Sequence, residues 1–319
     1  MKNKISIIVG GTGQLGITLA KLLLKKNYKV FITTRNLKLA KKKVPFIHKN
    51  LKLKKLNILD VKEIKKLINK INPNQIFYFA GQSSPLLSFR ANKITYLSNF
   101  QGCKNFLEVI FKIKSKCKFV NASSSEIFAE NKIKLVVASK KTPVSPYGKA
   151  KLLSFNYTKF YRNEKKLNAY NAIIFNTESY YRDKNYLIPK ICMAAINAKK
   201  YNKKTMFGNL KISREWNWAN EQMFYLLKFI KKDPQDFILS NGKSYSALKM
   251  IEFAFKYFKL DYKNFIQSNK KFERKRDFLK KKSNFISCLK RNNLKRDPKI
   301  YGKTLINRLI KYYLHEENK

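Results

Sequence analysis

The chain has 319 residues, 44% of them hydrophobic and 14% aromatic, enough to bury a full core, which excludes a disordered protein. Its 70 Lys and Arg against 19 Asp and Glu give a net charge of +51. The lysines run the whole length beside many Asn, Ile, Phe and Tyr, all residues of A/T-rich codons, so the charge reads as compositional and nucleic acid is not an expected partner. Cys103, Cys117, Cys192 and Cys288 are scattered without a CxxC pair, which argues against a disulfide framework and a metal site and for a reducing, cytoplasmic setting. The two histidines, His48 and His315, lie in no recognisable motif. No apolar run reaches the roughly 18 residues of a membrane span, and the stretch before the first glycines is too short for a signal-peptide core.

Ile5–Val9 reads as an apolar strand. It leads through Gly10, Gly13 and Gly16, a GxxGxxG turn, into a helix that opens at Gln14 and Leu15 and runs to about Lys25. Glycines at such a turn permit positive φ, let backbone approach a pyrophosphate, and let helix pack on strand. The helix N-terminus offers N–H groups and a positive dipole end to phosphates. This predicts a dinucleotide cradle. Lys29–Thr33 is a second strand. At its end, where an acidic residue would bond the ribose 2′-OH of NAD, stands Arg35, which suits a 2′-phosphate and so favours NADP.

Leu53–Leu59 reads as a third strand, Val61–Ile71 as a helix, and Gln75–Phe79 as a fourth strand ending in Ala80-Gly81-Gln82-Ser83. Small residues at a strand's carboxyl end lie where ligands sit in open α/β sheets. A long helix over about Asn92–Ile113 follows, then a strand at Lys118–Ala122 ending in Ser123-Ser124-Ser125-Glu126. Pro146 opens a helix to about Arg162, and Tyr170–Phe175 is a sixth strand. Alternating strands and helices predict an α/β fold, a Rossmann-type doubly wound parallel sheet. Beyond it the rhythm breaks into helices at Leu187–Lys199, Ala219–Lys231, Ser246–Phe258 and Lys303–Tyr313, with a short strand or turn at Met206–Leu210 and a strand at Asp236–Leu239. The expected division is a cofactor domain over 1–178, with 213–250 partly folding back onto it, and a smaller mixed α/β substrate lobe over 179–319. The lysine-dense stretch Lys270–Lys290 reads as a solvated loop or a substrate-phosphate site.

Tyr147 and Lys151 are spaced i, i+4 at the start of a helix, which puts both on one face. A nearby ammonium favours the phenolate, so Tyr147 is suited to act as a base. YxxxK means little by itself in a lysine-rich chain. After a glycine-rich start and a strand ending in Ser-Ser-Ser, it resembles the extended short-chain dehydrogenase/reductase superfamily over essentially the whole chain. The runs Ser123-Ser124-Ser125-Glu126-Ile127-Phe128, Phe175-Asn176-Thr177-Glu178-Ser179, Gly208-Asn209-Leu210 and Arg214-Glu215-Trp216 narrow the resemblance to the GDP-mannose 4,6-dehydratase family.

That resemblance implies a lyase that oxidises a nucleotide sugar at C4, eliminates water across C5–C6 and returns hydride to C6, using NADP. By the same resemblance Ser124 bonds the sugar O4, Glu126 is the dehydratase acid/base, and Tyr147 with Lys151 is the oxidation pair. Asn57 stands where an adenine-binding Asp is usual. Gln82, Ser83, Asn176, Asn209, Arg214, Arg274 and Asp277 fall on substrate positions, and Asn99 on a helix asparagine common in extended members. The substrate class implied is GDP-mannose or a related nucleotide sugar. The assembly implied is a homodimer through the helices of Asn92–Ile113 and Tyr147–Arg162, or two such dimers as a homotetramer.

Departures cluster in the cofactor-adjacent loop and the substrate lobe. Asn36 replaces a second Arg, Thr177 a His, Asn217-Trp218 a Gly-His, and Pro189 an Arg, while Tyr180 and Tyr181 are also unusual. A reductase or epimerase of the same superfamily is the rival activity, and Glu126 argues against it. A non-catalytic basic protein on the same fold, nucleic-acid-associated or decayed, is the rival class that the charge alone favours.

Overall fold

The computed structural model describes residues 4–128, 134–269, 282–294 and 297–317. Arg274 and Asp277 lie outside them. The chain divides into two compact units, Met1–Ala129 with Val137–Ile174 and Met223–Leu239, and Glu130–Val136 with Phe175–Gln222 and Ser240–Lys319. The first thus ends its main run at Ile174, four residues before the expected boundary at 178. Of the expected returning segment 213–250, Met223–Leu239 belongs to it.

In the first unit the strands β1 (Ile5–Val9), β2 (Lys29–Thr34), β3 (Leu51–Lys55), β4 (Gln75–Tyr78), β5 (Lys118–Ser124) and β6 (Ala169–Ile174) are joined by a later strand, Asp236–Leu239, called β11 in chain order. The sheet order is β11-β6-β5-β4-β1-β2-β3, with every neighbouring pair parallel. Strand order reverses between β1 and β4, the crevice where doubly wound sheets take ligands. Central strands such as β1 (Ile-Ser-Ile-Ile-Val) and β4 are buried on both faces, which is why they read as continuous apolar runs.

The connecting helices are α1 (Gln14–Leu24), α2 (Leu37–Lys43), α3 (Val61–Ile71), α4 (Pro85–Ser88), α5 (Asn92–Tyr96), α6 (Gly102–Lys112) and α7 (Pro146–Asn163). Asp60 caps α3 by accepting from the Lys62 and Glu63 amides. Together with the turn in which Asn57 Oδ1 accepts from the Leu59 amide at 3.1 Å, this ends β3 at Lys55, four residues short of the expected strand end. The single long helix expected over 92–113 is α5 and α6 joined by a π-helical turn at Leu97–Gln101. Tyr78 Oη, donating to the Ser98 carbonyl at 2.8 Å, takes that carbonyl for itself and widens the turn.

Among the described residues of the second unit, strands are two or three residues long. β7 (Thr177–Glu178) pairs in parallel with β10 (Asn217–Trp218), β8 (Thr205–Phe207) with β13 (Ile266–Ser268), and β9 (Ser213–Arg214) runs antiparallel to β12 (Tyr245–Ser246). Helices α8 (Leu187–Tyr201), α10 (Ala247–Tyr257) and α12 (Gly302–Glu317) supply the core through Ile191, Met250, Ile251, Ile306 and Leu309. Helix α9 (Ala219–Phe229) begins in this unit and leads to β11 in the first. Within the lysine-dense stretch, residues 270–281 lie outside the described set. The part from Phe285 on is a helix, α11 (Phe285–Arg291), with Phe285, Cys288 and Leu289 buried, so it is not a solvated loop. Among the described residues no helix is long and apolar enough to cross a membrane.

Candidate active site

The cofactor end is built by β1, its turn and α1. Gly10 has φ of +70°, and a Cβ there would stand 2.4 Å from Ala80 Cα. The turn therefore needs a left-handed residue and passes hard against the end of β4. A Cβ on Gly16 would meet Gly11 at 2.4 Å, so that glycine serves helix packing. Gly13 differs: a Cβ there would reach only Gly10 O, at 4.0 Å. It is the N-cap of α1, offers no side-chain cap, and no acidic residue follows in the first turn. Nothing among the described residues demands glycine at 13, whereas a phosphate approaching the helix N-terminus beside Gln14 and Leu15 would.

Arg35 is exposed immediately beyond β2. Asn36, next to it, caps α2 by accepting from the Leu39 amide at 2.9 Å. Asn57 is exposed beyond β3. Gly81 follows Ala80 at the end of β4. The Gln82 carboxamide is folded onto Ser84, with Oε1 accepting from its amide at 2.8 Å and Nε2 donating to its carbonyl at 2.7 Å. Ser83 is exposed between them. Asn99, fully buried in the π turn, donates from Nδ2 to the Gln82 and Thr95 carbonyls, both at 3.0 Å.

The residues expected to react lie where β5 meets α7. Ser124 closes β5, and its Oγ accepts from the Glu126 amide at 3.2 Å, so the strand turns at once into a 3-10 turn, Ser125–Ile127. In the run Phe119–Phe128 every residue is buried except Glu126, which is half-buried. Ser145 caps α7 by accepting from the Gly148 amide at 3.0 Å. A Cβ on Gly148 would stand 2.5 Å from Glu126 O, so α7 enters against the backbone of the Glu126 turn. Tyr147 and Lys151 follow on that helix, both buried, with Lys151 Nζ 5.9 Å from the Tyr147 ring centre. Lys151 Nζ donates to the Ala122 carbonyl at 2.7 Å. Burial pulls the Lys151 ammonium down to about 8, against a smaller opposing pull from Cys103. Ser124, Glu126, Tyr147 and Lys151, apart in sequence, thus share one corner of the first unit.

Asn176, Asn209 and Arg214 belong to the second unit. Asn176 is the half-buried residue in the otherwise buried run Ala169–Ser179. Asn209 is half-buried and its Oδ1 accepts from the Lys211 amide at 2.9 Å. Arg214 is buried on β9 and donates from Nη1 to the Ser213 carbonyl at 2.9 Å. The adjacent Glu215, fully buried, accepts from Ser240 Oγ, from the Gly242 amide at 2.7 Å and from the amide and hydroxyl of Ser283.

Two groups were not singled out from the sequence. Glu178 is buried 4.0 Å from Arg182 Nε, and desolvation pushes its carboxyl up to about 7 against the pull of Arg182. Gln222 and Asn217 hold the backbone around Asn176. Asn217 was legible only as a departure, and Gln222 carries no local signal.

A family model described as GDP-mannose 4,6 dehydratase matches residues 7–301. The GDP-mannose 4,6 dehydratase of Drosophila melanogaster is 32% identical over 278 residues, covering 80% of this chain and 68% of that protein. The Vibrio cholerae GDP-mannose 4,6-dehydratase is 29% identical, covering 79% and 71%. Among solved structures, a UDP-N-acetylglucosamine 4-epimerase from Methanobrevibacter ruminantium in complex with UDP-N-acetylmuramic acid superposes with a TM-score of 0.86 at 19% identity, covering 99% and 100% of the two chains. A dTDP-glucose 4,6-dehydratase from Bacillus anthracis in complex with NAD gives 0.85 at 16% identity, covering 99% and 98%. At such identities these two structures speak for the fold alone. The family match over most of the chain, joined to a dinucleotide cradle and a Ser-Glu-Tyr-Lys corner, places the chain in the GDP-mannose 4,6-dehydratase family.

Proposed function

We propose that this chain converts GDP-mannose to GDP-4-keto-6-deoxymannose with NADP, using Ser124, Glu126, Tyr147 and Lys151. Family membership carries nucleotide-sugar 4,6-dehydration. The observation that supports these residues is the entry of α7 against the Glu126 carbonyl at Gly148, which brings the Glu126 turn against the start of the helix that carries Tyr147 and Lys151.

The open space at Gly13 and the uncapped start of α1 fit a dinucleotide pyrophosphate. Gly10, Gly13, Gln14, Leu15 and Gly16 would hold it, and Asn57, Ala80 and Gly81 would hold the rest of the cofactor. The exposed Arg35 fits a 2′-phosphate, which favours NADP over NAD. When bound, the nicotinamide supplies a hydride acceptor for C4 and a hydride donor for C6.

The protein's own groups manage protons. Tyr147, as phenolate, takes the O4 proton while the Lys151 ammonium favours that charge. Ser124 Oγ accepts from the Glu126 amide and keeps its own proton to donate to O4. The C4 ketone so formed acidifies the C5 proton. Glu126 takes that proton and passes it to the departing C6 hydroxyl, which leaves as water. After hydride reaches C6 a proton returns to C5. The sugar is oxidised at C4 and reduced at C6, and the net change is loss of one water.

In this reading Asn176, Asn209 and Arg214 bind the nucleotide sugar, as do Gln82 and Ser83. Exposed apolar residues on α5–α6 and α7, among them Ile94, Tyr96, Phe111, Leu153 and Phe160, favour pairing of two copies through these helices. Four buried cysteines outside any disulfide are in keeping with a cytoplasmic setting. The test is Glu126→Gln with GDP-mannose. Mass analysis should find no dehydrated product from the variant and a loss of water with the wild type. A variant that dehydrates at the wild-type rate removes Glu126 from the mechanism.

A further inference from the structure

We infer that Asn217 is a positioning residue for the nucleotide sugar, acting through Asn176 by clamping the peptide on its carboxyl side. The inference rests on the reading above that Asn176 contacts that substrate. Asn176 sits at the mouth of β7, and both peptide planes flanking it are held by side chains. Its own carbonyl accepts two bonds from Asn217, one from the amide at 2.9 Å and one from Nδ2 at 2.8 Å. The preceding carbonyl, of Phe175, accepts from Gln222 Nε2 at 3.1 Å. Gln222 Oε1 in turn receives the Thr177 hydroxyl at 2.7 Å. Asn217, Gln222 and Thr177 are all buried, while Asn176 alone in its run is not. The backbone is fixed on both sides of a half-buried residue.

The clamp is itself anchored. Asn217 Nδ2 also donates to the Glu215 carbonyl at 2.9 Å, and the Glu215 side chain is tied to Ser240, Gly242 and Ser283. Asn217 faces Thr177 in the β7–β10 register. The segment Arg214–Asn217 therefore fixes two substrate candidates, Arg214 and Asn176, with respect to each other. Asn217 Oδ1 is buried with no hydrogen-bond partner, a cost that an apolar residue of similar size would avoid. Glycine, usual at this position in the resembled family, would supply only the backbone bond. Asn217 and Thr177, two of this chain's departures, thus build one local device.

Calorimetric titration of the full-length protein with GDP-mannose tests the role. Asn217→Ala should weaken binding about tenfold, as expected when one well-placed contact is lost. Asn217→Asp, which sets a carboxylate against two carbonyl oxygens, should weaken it further. Binding of NADP should stay near wild type in both, while the melting temperature falls in Asn217→Ala and further in Asn217→Asp, because buried carbonyls lose their donor. In an Asn176→Ala background, Asn217→Ala should add less than about twofold, because the two changes remove the same contact. Unchanged binding by Asn217→Ala, or full additivity with Asn176→Ala, would overturn the inference. If the alanine variant does not fold, Asn217→Gly takes its place in the same cycle. A wild type that binds GDP-mannose without dehydrating it sinks the proposed activity and leaves Asn217 in place. A wild type that does not bind it sinks both.

Discussion

Glu126 stands at the end of a seven-residue strand inside a parallel sheet, while Asn176 leads into a strand of two residues. Both interrupt a run of buried residues by one half-buried position. The means of support differ. In the first unit the sheet ladder and the close entry of α7 at Gly148 hold Glu126. In the second, where ladders are short, buried carboxamides hold the main chain in their place. Each unit also buries a charge. Lys151 in the first donates to a carbonyl, and Glu178 in the second faces a guanidinium beyond hydrogen-bond reach. In the first unit the long ladder leaves side chains only the local turns to fix, at Ser124 and Ser145, whereas a lobe of short strands uses buried polar side chains to hold its main chain.

The comparison breaks most sharply at the reactive corner. Glu126→Gln should lower dehydration by about a thousandfold, within the range for loss of a general acid/base, and leave NADP binding unchanged, as read by turnover and fluorescence titration. Gly148→Val should fail differently. Its side chain would run into the Glu126 carbonyl from 2.5 Å, so both activity and melting temperature should fall, by about 1–3 kcal/mol of stability in denaturant titration.

The buried charges sharpen the contrast through pH. Burial holds Lys151 at about 8, and the charged form is the one that favours the Tyr147 phenolate. Activity should therefore fall as pH rises through about 8, near tenfold per unit beyond it, in a pH–rate profile. Lys151→Arg should move that alkaline limb upward, because a guanidinium stays charged. Glu178 titrates at about 7 in the folded chain against an ordinary 4.5. The folded state then binds the extra proton, so this group's contribution is intact below 4.5, shrinks as pH rises through the window between those values, and is level above it. Glu178→Gln should raise the melting temperature by several degrees near pH 8 and by little near pH 4, as followed by thermal melts.

The smallest expected effect lies at the cofactor rim. Arg35→Ala should reduce the preference for NADP over NAD about tenfold, the scale of one charge-assisted hydrogen bond at an exposed site. Equal binding of the two cofactors by the wild type would contradict the role of Arg35.

Much of the first unit was legible because its signals are local. Apolar runs mark buried parallel strands, and Gly10, Gly16 and the Tyr147–Lys151 spacing have meaning within one turn of chain. The edge strand β3 was placed too late because Leu56, Ile58 and Leu59 continue its apolar pattern. Only the Asn57 turn and the Asp60 cap reveal the stop. The π turn was not legible, since its cause is Tyr78, about twenty residues upstream. In the second unit β7 pairs with β10 across some forty residues, and no periodicity announces a two-residue strand. The same holds for α11, whose buried Phe285, Cys288 and Leu289 are hidden in a lysine-rich stretch. Glu126 and Asn176 are expected from family resemblance alone, and their half-buried place within buried runs is what the fold adds.

The central claim is an internal redox dehydration in which hydride leaves C4 and returns to C6 of one sugar. It is tested most directly with GDP-mannose carrying deuterium at C4, incubated with the purified protein and followed by mass and NMR analysis. The account predicts a product lighter by one water with deuterium at C6. Loss of the label to solvent or to free cofactor, or a product that keeps all its oxygen, would contradict it.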